Sequence, residues 1–281
     1  METIEPGAPD SGLASELIRA CSNGDVPTLQ RHAQALSKLE SKISSTPPAS
    51  QAPLLKEMLL AAIRDRRSEV VSYLLGEYPK IPIRQDSILL AGLETRSIPI
   101  LTILLKHEPK IINHELEGMA TLLTTSLSSS DPTIPDFLLD SGADPNSGIV
   151  AHMSPLFYAI GARQPLSVIK KMVDKGADVS KDRLAVFEAV RVGRADALQV
   201  FLDAGASLHN GGELLHLAVR NGNIDVVKLL VKTNAHLVET RDEQGKTASE
   251  IASNKGLGEI VDLLESQKGR SIWQYLKKWR F

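Results

Sequence analysis

The side chains able to do chemistry are few and scattered. The chain has seven histidines, His32, His107, His114, His152, His209, His216 and His236, and one cysteine, Cys21. No histidine stands in an H-E-x-x-H pattern and none neighbours Cys21, so neither a zinc site nor a thiol–imidazole pair is spelled out. Ser154 lacks the G-x-S-x-G setting of an exposed nucleophile. No glycine loop of the G-x-x-x-x-G-K-S/T or G-x-G-x-x-G type is present to cradle a phosphate. Arg64, Arg66 and Arg67 cluster, but Asp65 and Glu69 interleave with them, which reads as a solvated, salt-bridged face. A single cysteine cannot form an internal disulfide, and Cys21 reads as a small buried hydrophobe. The expectation is a chain that is not an enzyme and needs no metal or cofactor.

With no catalytic constellation to position, the elements themselves carry the information. In Gly212–Ala235, Leu214, Leu215, Ala218 and Val219 fall at helical spacing. Asn221-Gly222-Asn223 then breaks the helix, because Gly takes a positive φ without a steric cost. A second helix follows from Ile224 to about Lys232, with Ile224, Val227, Leu230 and Val231 on one stripe. Helices this short are not stable alone and must be covered by similar neighbours.

The stretch LLHLAVRNGNIDVVKLLVKTNA resembles the ankyrin repeat, with His216 and Ala218 at the His and Ala places of T-P-L-H-x-A. Glu213 and Leu214 stand where Thr and Pro belong. Asn234-Ala235 replaces the closing Gly-Ala, with Asn234 expected as a left-handed helix end. The resemblance implies an all-α, ankyrin-type α-solenoid of stacked helix-turn-helix repeats, closed by a C-terminal capping helix.

The last apolar residues of the second helices are Leu75, Leu105, Leu139, Val173, Leu202, Val231 and Leu264, spaced 30, 34, 34, 29, 29 and 33 apart. That brackets the family period of about 33 and implies about eight repeats, several degenerate. They are Leu13–Leu36, Leu54–Tyr78, Gln85–His107, Met119–Gly142, Ser154–Asp178, Leu184–Ala206, Gly212–Ala235 and Gly245–Ser266. Arg66 and Arg96 occupy the turn Gly place, at a cost on the order of 1 kcal/mol each if φ is positive there. Gly142, Gly176 and Gly205 are expected as left-handed helix caps. Asp131-Pro132 reads as an N-cap followed by Pro at the first helical position. Gly211-Gly212 reads as a turn.

The expected organisation is a disordered 1–11, a repeat region 12–267 with a Ser/Pro-rich loop at 41–53, and a basic-aromatic tail 268–281. Ile272, Trp273, Leu276 and Trp279 form a stripe in the tail, and Lys268, Arg270, Lys277, Lys278 and Arg280 supply charge. This tail reads as a cap on the last repeat, or as a weak docking helix. Apolar residues make up 42%, so a large core is available, and a net charge of −2 draws in no nucleic acid. No apolar run spans a membrane, and the acidic start is no signal peptide. An intracellular setting, in cytoplasm or nucleus, is expected.

The resemblance places binding on the concave face, formed by the fingers between repeats and the first helices. Full fingers are expected at Lys106–Gly118, Asp140–Ser154 and Lys232–Thr247. Short spacings clip them at Asp178–Leu184 and Ser207–Glu213, leaving a notch. The expected contact residues are Lys110, His114, Asp144, Asn146, His152, Arg191, Arg220, Asn221, Arg241 and Asp242. The expected partner is another protein, held by a scaffold or adaptor surface. The alternative is an enzyme or small-molecule binder with a pocket in the solenoid groove.

Overall fold

The structure, a computed structural model, describes residues 11–37 and 53–278, with side chains within 12–37 and 54–268. The expectations for residues 1–10 and for the loop up to residue 52 lie outside the described residues. So do those for the side chains of the tail stripe and for its charges beyond Lys268. Among the described residues every regular element is a helix, with two isolated β-bridges, Val150–Met153 and Arg241–Thr247.

The chain divides into two compact units, residues 1–122 and 123–281. In the first, helices pair as α1 (Ser11–Asn23) with α2 (Val26–Arg31), α3 (Pro53–Arg64) with α4 (Ser68–Glu77), and α5 (Asp86–Glu94) with α6 (Ile98–His107). First helices pack on first helices, α1 on α3 and α3 on α5, and second on second, α2 on α4 and α4 on α6. Cys21, Leu17, Met58, Ile63, Leu74 and Ile88 fill the layer between them. A 3₁₀ turn, Pro109–Asn113, follows α6.

The second unit repeats the arrangement. Leu122–Ser126 (α7) starts at the boundary and is a single turn. Thr133–Asp140 (α8), Pro155–Gly161 (α9), Leu166–Asp174 (α10), Arg183–Val192 (α11), Ala195–Asp203 (α12), Gly211–Arg220 (α13), Ile224–Thr233 (α14), Ala248–Asn254 (α15) and Gly258–Lys278 (α16) follow. The series α9, α11, α13 and α15 packs side by side, as does α8, α10, α12, α14 and α16. Each inner helix of the series buries its stripe against neighbours on both sides, which is what supports helices of ten residues or fewer.

The turns between paired helices share one geometry. The N–H groups of Asp25, Arg67, Gln164, Arg194, Asn223 and Leu257 donate to the carbonyls of Ala20, Ala62, Ala159, Ala189, Ala218 and Ala252. Closing this turn requires a left-handed residue before the donor. Gly193 supplies it at φ +79°, and a Cβ there would meet Asn223 Oδ1 at 2.7 Å. Arg66 and Arg96 do sit at φ +55° and +51°, and Arg163 is a third such case at +57°. Arg66→Gly is expected to raise the unfolding free energy by about 1 kcal/mol, since a left-handed L-residue costs about 1–2 kcal/mol and Gly returns part of that in chain entropy. Urea unfolding of the full chain measures it, and a loss would show that the Arg66 stem packs usefully.

Carbonyls at the ends of first helices, and in the turn after one of them, are met from the following repeat. Arg67 Nε donates to Ser22 O at 2.7 Å, Arg194 Nη1 to Gln164 O at 2.8 Å, Asn221 Nδ2 to Arg191 O at 3.0 Å and Lys255 Nζ to Arg220 O at 2.7 Å. These bonds fix the register between neighbours.

Four local expectations change. Asn234 is extended, at φ −149°, and its side chain caps a 3₁₀ turn, Ala235–Glu239, by accepting from His236 N. Gly211 and Gly212 open helix α13 instead of forming a turn; a Cβ on Gly212 would meet Thr240 Cβ at 2.8 Å. Pro132 takes the cap position of α8, while Asp131 Oδ1 accepts from Thr133 N. Finally, α16 runs unbroken from Gly258 through Lys278, so the backbone of the tail continues the last second helix and does not start a separate one.

Candidate interaction surface

The long fingers are held by their own polar side chains. Asp144 accepts from Asn146 N at 2.9 Å and from Ser147 Oγ at 2.7 Å. Asn146 in turn donates to Gly176 O at 2.8 Å and accepts from Asp178 N at 2.9 Å, tying its finger to the next connection. In the last finger Asp242 accepts from Gln244 N and Lys246 N, both at 2.9 Å, and from Arg220 Nη2 at 2.6 Å. The Lys246 backbone N–H is the main reason its carboxyl titrates below the usual range. Arg241 Nη1 donates to Gly245 O at 2.7 Å.

Of the ten expected contact residues, Asp144, Asn146, Arg191, Arg220, Asn221, Arg241 and Asp242 are therefore engaged within the chain. Arg191 grips Glu188 through Nε and Nη2, both at 2.6 Å, and the Asn221 side chain reaches Arg191 O. His114 Nε2 lies 3.9 Å from Asp86 Oδ1 in the first unit, and Lys110 is exposed on its 3₁₀ turn. His152 is exposed at φ +66°. Within the second unit the structure brings Arg191 and Asn221 together, and Arg220 with Asp242. Asp144, Asn146 and His152 belong to a separate finger.

His216, in the middle of α13, is buried. Burial is the chief cause that pushes its imidazole below the usual range, the nearby Asp242 carboxylate opposing it. Burial likewise pushes the Cys21 thiol up to about 12, so the thiolate that would act as nucleophile is absent at neutral pH. Among the described residues no group of three or more His, Cys, Asp or Glu side chains is arranged to hold a metal ion. No helix there is long and apolar enough to cross a membrane.

The short connections, 175–182 and 204–210, leave first helices α11 and α13 uncovered at their starts. A cavity of about 210 Å³ lies there, lined by Arg183, Leu184 and Phe187 of α11, His209 and Asn210 of the connection, and Glu213 of α13 among others. Leu184 and Phe187 are each 43% exposed, against full burial of most large apolar side chains in this unit. Leu184, Phe187 and Arg191 recur at i, i+3 and i+7, on one face of α11.

These residues escaped the sequence reading because only polar groups were considered for contact. The spacing of Leu184 and Phe187 beside a clipped finger was the signal available.

A larger groove of about 850 Å³ lies at the end of this unit, with Arg241, Lys246, Ser249, Glu250, Glu265 and Lys268 on its walls. Its Glu250 and Glu265 are engaged, the first by Thr247 N and the second by Ser249 and Lys268.

Residues 184–274 match the family model described as ankyrin repeats, in three copies.

Proposed function

We propose that this chain, built of ankyrin repeats over residues 184–274, is a non-catalytic, intracellular protein-interaction scaffold that holds a partner on the first-helix face of its second unit. Repeats of this family generally mediate protein–protein interaction. The observation that carries the reading is the pair of large apolar side chains, Leu184 and Phe187, left in solvent beside a cavity. Exposed aromatic anchors next to pockets are where interface energy concentrates. Both residues stand on a helix locked by α9 and α13, so little order is lost on binding. His152, Arg220 and Arg241 extend the contact along the fingers, while Asp144, Asn146 and Asp242 hold the fingers in shape. The cavity is smaller than the ~300–1,000 Å³ of small-molecule sites, which favours a partner's side chain over a free ligand.

Affinity capture from the native source tests this. The full chain is compared with the Leu184→Ala, Phe187→Ala double variant. Partners retained by the wild type are expected to disappear with the variant. An unchanged set of partners would remove this face from consideration.

A further inference from the structure

We infer that the occupant of the cavity between α11 and α13 is an acidic segment of a partner protein, which inserts one bulky apolar side chain against Leu184 and Phe187 and sets its carboxylates on Arg183 and Arg191 of α11. The inference rests on the interaction-surface reading above and specifies its partner. The size of the site comes first. At about 210 Å³ the cavity equals roughly seven waters' share of liquid volume at ~30 Å³ each. It suits one large side chain entering from outside, not a helix laid along a groove.

The charge argument concerns which polar groups are already engaged. The acceptors beside α11 are held by the chain itself, while Glu213 of α13 stays exposed. Glu188 is 3% exposed and gripped by Arg191 at two points. The Asp242 side chain is 7% exposed and receives two backbone N–H groups and Arg220. Asp182 accepts from Ser154 Oγ and from Ala185 N. Glu213, the acid on the cavity wall, is met by Asn210 Nδ2 at 3.3 Å.

The donors are in surplus. Among the described residues the side chains of Arg183 and His209, both on the cavity wall, make no hydrogen bond or ion pair. Arg191, one turn past Phe187 on the same face of α11, uses only part of its guanidinium N–H groups and remains 53% exposed. A guanidinium has five N–H donors and no acceptor, so what is left can be met only by acceptors, and best by carboxylates in forked geometry. The floor asks for an apolar anchor, and the rim asks for acids on either side of it.

The test is selection of a random peptide library on the full chain, followed by affinity measurement of the enriched peptides. The expected result is enrichment of an aromatic or aliphatic residue flanked by Asp or Glu. Phe187→Asp is expected to weaken those peptides on the order of thirtyfold, the size of a hot-spot loss. Arg183→Glu is expected to shift selection toward Lys- and Arg-flanked anchors. Neither position is buried, so both variants keep the fold, which circular dichroism verifies.

Enriched peptides without acidic flanks that still depend on Phe187 would overturn the acidic occupant and leave the interaction surface standing. Peptides indifferent to Phe187→Asp would overturn both. Failure to enrich any peptide overturns the acidic segment, as does a concentration-dependent dimer abolished by Phe187→Asp, which would make a second copy the occupant.

Discussion

Phe201→Ala lowers the unfolding free energy by about 3–5 kcal/mol, whereas Phe187→Ala leaves it within about 0.5 kcal/mol. The two phenylalanines stand in consecutive helices of the same repeat. Phe201, on α12, is fully buried with Ala197 and Leu198 between α10 and α14. Removing its ring forfeits the transfer free energy and opens a cavity that close-packed neighbours cannot collapse into. Phe187, on α11, already has 43% of its surface in water. Chemical denaturation of the two variants side by side measures the contrast. A large loss at Phe187 would mean that it is core after all, and the case for its role in binding would fall with it.

Arg191→Ala costs about 2–3 kcal/mol, an unusual amount for a half-exposed arginine. The reason is its partner. Glu188 is 3% exposed and lies against Gly161, where even a Cβ would come within 3.1 Å of its Oε1. Breaking a buried pair leaves an uncompensated carboxylate, at about 3–5 kcal/mol. Because Arg191 itself is 53% exposed, water reaches the vacated place and the expectation is discounted. The pair raises the Arg191 guanidinium above its usual range, chiefly through the Glu188 hydrogen bonds.

Adding Glu188→Met is expected to recover most of the loss, since a buried ion pair can be exchanged for apolar packing. Arg220→Ala serves as the control. Asp242 keeps two backbone N–H partners without it, so the loss stays below about 1 kcal/mol. A full denaturation curve for each variant gives the comparison. Equal losses at Arg191 and Arg220 would contradict the burial argument. The result also bears on binding assays, because an Arg191 variant that fails to bind has first to be shown to be folded.

The sequence by itself determined the helix pairs and most of the turns between them. Helical spacing of Leu214, Leu215, Ala218 and Val219, closed by Gly222, is a local signal, and local signals are readable because the residues involved are near neighbours in the chain. The positive φ at Arg66 and Arg96 was legible for the same reason: a repeat imposes one backbone path whatever side chain stands there.

Only the tertiary structure decided which polar side chains are available. Asn146, Arg191, Arg220 and Asp242 look like free finger groups in sequence. The partners of Asn146, Arg220 and Asp242 lie in another repeat or across a turn, at Gly176, Asp242 and Lys246, and pairing of that kind follows from how the repeats stack; Arg191 pairs within its own helix with Glu188, whose burial comes from the stack. Asn234 lost its left-handed cap because the 3₁₀ turn behind it needed a side-chain acceptor. Gly211 and Gly212 open a helix, and Leu237 and Thr240 pack where their side chains would be. The exposure of Leu184 and Phe187 has the same origin. Helical spacing puts them on one face of α11, but only the short connections on either side leave that face uncovered.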